Sequence, residues 1–132
     1  MNEQEIIDEL KRATDGLLMM SESDYPFDIV HIDGKTSLTH QDLRNLVGKD
    51  INDPVSLTEV ENFFRTSTSE AAWKNESQIA TARRFQKIVR LFQEELKETR
   101  VYKIGNIDIT VLILGKSPQG NWLGLSTRVI ET

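Results

Sequence analysis

No cysteine occurs anywhere in the 132 residues. Disulfide staples, thiolate zinc centres and a cysteine nucleophile are therefore excluded. No apolar run approaches the roughly 20 residues that cross a bilayer as a helix. The longest, residues 107–114, is interrupted by Asp108 and Thr110. The opening residues, Met1-Asn2-Glu3-Gln4-Glu5, are acidic and lack the apolar stretch of a signal peptide. Internal repeats and low-complexity tracts are also missing. These absences lead us to expect a soluble cytoplasmic protein. What is present is ordinary for a globular chain: 38% hydrophobic and 28% charged residues, too apolar for disorder. The length suits one domain over residues 1–132, with enough chain to bury a core without staples.

Charge is uneven. Residues 1–70 carry 15 acids against 6 bases, net −9, and residues 71–132 carry 6 acids against 10 bases, net +4. Phosphate binding is dominated by Lys and Arg, so the acidic half argues against direct contact with nucleic acid. It suits either a basic protein partner, where complementary charge speeds encounter, or a solvated face.

Local signals outline the elements. Asn2 caps a helix with Glu5 three residues on. Ile6, Leu10, Ala13 and Leu17 follow at spacings of four, three and four, and Gly16 marks the stop. A polar turn, Ser21-Glu22-Ser23-Asp24-Tyr25-Pro26, leads into a strand over residues 27–32 that ends at Asp33-Gly34. Thr39 caps a short helix over residues 41–47, and Asn52-Asp53-Pro54 is a loop. Ser56, with Glu59 three residues on, predicts a second capping-box helix carrying Leu57, Val60, Phe63 and Phe64. A small, polar connection over residues 66–72 ends at Trp73. The longest helix is predicted over residues 76–98, with Ile79, Ala82, Phe85, Val89, Phe92 and Leu96 on one stripe. Arg83, Arg84, Lys87 and Arg90 make part of its other face basic. The last third reads as a meander. Residues 101–104 meet 107–114 through Gly105-Asn106, a two-residue hairpin signal. Residues 115–120 form a longer turn. Residues 121–130 form the final strand, with Leu123, Leu125, Thr127 and Val129 on one face. The fold class is α/β: a mainly antiparallel sheet covered by helices in an α/β/α sandwich.

Chemistry-bearing constellations are thin. His31 falls in a predicted strand and His40 at a helix start, with no close ligand spacing, and both read as structural histidines. Gly115-Lys116-Ser117 resembles the end of a phosphate loop, but Thr110 stands where the leading glycine belongs. Gly124-Leu125-Ser126 lacks the full nucleophile-elbow pattern. Glu22, Asp24 and Asp28 are the densest small acidic cluster, without EF-hand spacing; they read as capping or solvated acids. Trp73 is either an exposed interface anchor or a ring folded over the adjoining helix. Trp122 begins a strand and reads as packing. The tail, Val129-Ile130-Glu131-Thr132, ends in a hydroxyl and a carboxylate, oxygen donors that suit a hard cation. No catalytic constellation emerges, so the residues point to a binding protein and not to an enzyme.

Several strings together resemble the nuclease A inhibitor family. They are Asp15-Gly16-Leu17-Leu18, Met20-Ser21-Glu22-Ser23 and Tyr25-Pro26-Phe27 in the first quarter. Further on come Phe85-Gln86-Lys87, Val101-Tyr102, Gly115 with Pro118 and Gly120-Asn121, and Ser126-Thr127 with Glu131-Thr132. The resemblance spans nearly the whole chain. It implies an α/β/α sandwich like that of class 1 plant pathogenesis-related proteins. It also implies a protein inhibitor, monomeric until complex formation, that occludes the active site of a metal-dependent, sugar-non-specific DNA/RNA nuclease. Matching positions place nuclease-binding contacts on Glu22, Trp73 and Thr132. Thr132 would direct oxygen, directly or through water, toward the Mg²⁺ of the partner nuclease, and the chain would hold no cofactor of its own. Two departures stand out. Ala72 replaces an acidic residue beside Trp73, and residues 33–54 match poorly. They motivate an alternative: a non-inhibitory protein-binding module on the same fold.

Overall fold

The computed structural model describes residues 1–34 and 37–132. In chain order the elements are α1 (Glu3–Thr14), β1 (Leu18–Met20), β2 (Asp24–Pro26), β3 (Asp28–Ile32), α2 (His40–Leu46) and β4 (Val55–Thr58). They continue with α3 (Val60–Phe63), α4 (Glu76–Glu95), β5 (Lys97–Ile104), β6 (Asp108–Lys116) and β7 (Trp122–Ile130). Three helices start on reciprocal side-chain caps. Asn2 accepts from the Glu5 amide at 2.9 Å while Glu5 accepts from the Asn2 amide at 3.2 Å. Thr39 with Asp42, and Asn75 with Gln78, repeat the arrangement for α2 and α4. Each cap satisfies amides that the first turn leaves without a helical partner. Gly16 follows α1 at φ 69°, the left-handed turn that glycine takes without a Cβ clash.

Five strands form one antiparallel sheet in the order β3-β7-β6-β5-β4, and β1 and β2 form a separate antiparallel pair. Strand alternation sends side chains to both faces, and both are buried. Val111, Ile113, Leu123 and Leu125 pack in the larger cluster with Ile6 and Leu10 of α1, Phe64 after α3, and Phe85, Ile88 and Phe92 of α4. Leu112, Leu114, Tyr102 and Trp122 belong to the other cluster with Leu43 of α2. Phe64 is fully buried, its ring 4.9–6.3 Å from those of Phe27, Phe63 and Phe85. At Gly124 the strands approach so closely that a Cβ would lie 1.8 Å from the Ile113 carbonyl oxygen. No helix among the described residues is long and apolar enough to cross a membrane.

Several sequence-based expectations change. Residues 56–58 are not helical. They lie in β4, paired from Val55↔Ile104 to Thr58↔Val101, and α3 begins only at Val60 with no side-chain cap. Edge pairing with β5 satisfies a full row of backbone groups, which outweighs a capping-box signal over so short a segment. The long helix stops at Glu95 because residues 97–104 enter the sheet. Glu98, at φ 53°, sits where the β5–β6 register shifts. The turn 21–26 is a hairpin instead, with Leu18↔Pro26 and Met20↔Asp24 paired around Ser21–Ser23. Finally, Ile104 pairs with Thr110, so the β5–β6 connection is longer than a two-residue turn. The helix stripe also includes Ile88 and Leu91, both buried, while Val89 is only partly so.

Candidate interaction site

The β1–β2 turn brings Glu22 to the end of β7. Ser21 supplies the link: its Oγ donates to the Ser23 carbonyl at 2.8 Å and accepts from the Ile130 amide at 3.0 Å. Glu131 donates its amide to the Ile107 carbonyl at 3.0 Å, and Lys103 pairs with its carboxylate at 3.0 Å. With residues 130 and 131 held, Thr132 reaches back to Glu22. Its amide donates to Glu22 Oε2 at 3.0 Å and its hydroxyl donates to Glu22 Oε1 at 2.6 Å. Both carboxylate oxygens thus grip one residue. Beneath them, Thr127 donates to the Pro26 carbonyl at 2.9 Å, and the Arg128 guanidinium lies 4.5 Å over the Tyr25 ring. Arg128 also chelates Asp108 at 3.1 and 2.6 Å, which holds the Asp108 carboxyl below its ordinary range.

Trp73 is 77% exposed, which decides between the two sequence readings of its ring. Lys74 Nζ lies 5.7 Å from the ring centroid. A cavity of about 550 Å³ runs from Trp73 to Met20 over Phe63 and Phe85. A second, of about 380 Å³, runs from Met20 to Leu57, Lys103 and Glu131. Met20 and Leu57 are both exposed, at 72% and 49%. Apolar groups therefore line much of the cavity at the exposed tryptophan, and the second cavity reaches Ser21 and Glu131, the chain neighbours of Glu22 and Thr132. In the sequence Met20 stands only within a family string and Leu57 only in a predicted helix, neither with an interface role. Only strand β4 places Leu57 at the sheet edge. Ala72 is exposed beside Trp73, and the nearby Glu70 carboxylate is engaged by Arg83 and Gln86. Lys35 and Thr36, within the divergent segment 33–54, lie outside the described residues.

The acidic cluster of the sequence does not assemble. Asp24 stands opposite Met20 in the hairpin and Asp28 opposite Ser126 at the start of β3. Among the described residues, the group of three whose ligand atoms converge is Glu3, His31 and Asp33.

The hairpin turn and the strand-held tail carry two of the strings noted in the sequence, and comparison with known families identifies the family. The family model of nuclease A inhibitor-like proteins matches residues 4–132. The chain belongs to the nuclease A inhibitor-like protein family. No curated protein matches it. Membership implies a nuclease-inhibitor role. Within this nuclease A inhibitor-like chain, two of the three residues singled out from sequence, Glu22 and Thr132, are in direct contact, while Trp73 stands apart and lines a separate cavity that contains neither of them.

Proposed function

We propose that the chain inhibits a metal-dependent, sugar-non-specific DNA/RNA nuclease by placing Glu22 and Thr132 where the phosphodiester would lie. The single observation that carries this reading is the double hydrogen bond from Thr132 to the Glu22 carboxylate. A nuclease groove must be basic and metal-bearing to hold its substrate. A carboxylate and a hydroxyl imitate phosphate oxygens there. Because the Thr132 hydroxyl gives its proton to Glu22, its oxygen lone pairs remain to face a hard cation such as the nuclease's Mg²⁺. The acidic N-terminal half steers the approach to a basic partner. Trp73 supplies a large apolar anchor at low entropic cost. In this reading the chain performs no chemistry of its own and works in the cytoplasm as a monomer until it meets the nuclease.

The test is plasmid cleavage by a family-type non-specific nuclease in Mg²⁺, titrated with wild type and with a chain lacking Thr132. Stoichiometric inhibition that collapses on deletion supports the plug. Equal potency of the two chains sinks it. Exposed Ala72, where resemblance leads one to expect an acid, favours a second reading as a non-inhibitory binding module on the same fold. Wild type that leaves nuclease activity untouched yet binds another protein stoichiometrically would favour that reading.

A further inference from the structure

At the opposite end of β7 from Thr132, three elements converge on one histidine. Glu3 is the first residue of α1, His31 lies in the edge strand β3, and Asp33 follows that strand. His31 pairs with Leu123, and its neighbour Ile32 with Trp122, the first residue of β7. At strand rise this cluster is about 25 Å from the far end of β7. His31 Nε2 lies 2.7 Å from Glu3 Oε1 and 3.1 Å from Asp33 Oδ1. The three ligand atoms all fall within 4.8 Å of one another. One imidazole nitrogen carries at most one proton, so it cannot serve two carboxylates with two good hydrogen bonds. A metal ion in the proton's place satisfies all three. Tetrahedral bonds near 2.0 Å set ligand atoms about 3.3 Å apart, so small side-chain movements suffice.

Glu3 is also fixed from behind. The Ser117 hydroxyl and the Asn121 amide, from the β6–β7 turn, donate to its carboxylate, the latter at 3.1 and 3.3 Å. Metal-binding carboxylates are characteristically oriented by such donors. The Asp33 side chain is 72% exposed, leaving water room to complete the shell. The donor set selects the ion. One imidazole and two carboxylates suit zinc and its divalent transition-metal neighbours, whereas calcium demands six to eight oxygens and magnesium a near-octahedral oxygen shell.

We propose that Glu3, His31 and Asp33 form a zinc-type divalent metal site that ties the start of α1 to the edge of the sheet. This departs from the expectation that His31 is only structural and that the chain holds no metal of its own. It is independent of the nuclease reading, because the site lies away from Glu22, Trp73 and Thr132. The experiment titrates the full chain with zinc chloride by calorimetry, with Co²⁺ as a spectroscopic probe and the His31 Nε2 nitrogen resonance as the local readout. Wild type should bind one equivalent, shift that resonance and gain thermal stability with added zinc. His31→Ala should lose saturable binding, Asp33→Asn should weaken it at least tenfold, and His40→Ala should leave it unchanged. If His31→Ala fails to fold, Asp33→Asn decides, since its side chain is exposed. Absence of saturable binding to wild type overturns the proposal. So does binding that persists in the folded His31→Ala chain or disappears with His40. Nuclease inhibition should be the same for Asp33→Asn and wild type, whichever way the metal titration falls.

Discussion

Replacing Glu22 by alanine removes both acceptors that hold Thr132. The two bonds are exposed and contribute about 1 to 1.5 kcal/mol each, helped by the acceptor's charge. Ordering one residue opposes them by about 1 to 2 kcal/mol. The difference leaves the tail ordered by about 1 kcal/mol, so most molecules carry Thr132 in position. Without the carboxylate the ordering term stands alone and the ordered fraction falls to about one in ten. Inhibition should therefore weaken about tenfold from tail release, before the loss of any direct Glu22 contact is added. Glu22→Gln separates the two effects. Its remaining oxygen can accept the Thr132 amide, and the hydroxyl can rotate to accept from the new side-chain amide. Tail order should survive in that variant while the negative charge is lost. The assay pairs an inhibition constant from nuclease titration with ¹⁵N relaxation of the Thr132 amide in the free chain. A Thr132 amide as rigid in Glu22→Ala as in wild type would refute the reasoning, as would undiminished inhibition.

Three further outcomes follow from the geometry. Trp73→Ala removes an exposed ring, so urea midpoints should stay within about 0.5 kcal/mol of wild type. Nuclease binding should fall about 30-fold, equivalent to about 2 kcal/mol for a hot-spot residue, and equal affinity by calorimetry would remove Trp73 from the interface. Phe64→Ala empties the centre of the Phe27, Phe63 and Phe85 cluster and should cost about 3 to 5 kcal/mol in urea unfolding; a loss below about 1 kcal/mol would mean the site collapses freely. The Glu3 carboxyl is held below its ordinary value of 4.5, first by the Ser117 hydroxyl and then, against desolvation, by Asn121 and His31. A depressed folded-state value contributes stability above the unfolded value that is lost as pH falls through the folded one. Melting temperature should thus fall more steeply in wild type than in Glu3→Gln once pH drops below about 4.5, and parallel profiles would contradict the assignment.

Helix starts were legible because a cap is a local bargain between a side chain and amides three residues away. Asn2 with Glu5 and Thr39 near α2 needed nothing from the rest of the chain. The meander was legible for a related reason: alternation in β7 places Leu123, Leu125 and Val129 on one buried face. Short segments were not. Residues 55–58 pair with residues 101–104, far away in sequence, and Lys97 and Arg100 pair with Lys116 and Leu114 across a register shift, so pairing decides their state. At the candidate site, the family resemblance points to Glu22, Trp73 and Thr132, whereas Ser21 and Met20 stand only inside a family string and Leu57 only in a predicted helix, none with a role in the site.

By itself, then, the amino-acid order determined the absence of thiol chemistry, the capped helices, the C-terminal meander and the family. Tertiary structure alone decided that Glu22 grips Thr132 across 110 residues and that Glu3 meets His31 and Asp33. It also decided that Trp73 faces solvent. The physical reason is range. Capping and periodicity act within one or two turns of chain, whereas a side chain's partners across the sheet depend on register, and register emerges only when every strand has found its neighbour.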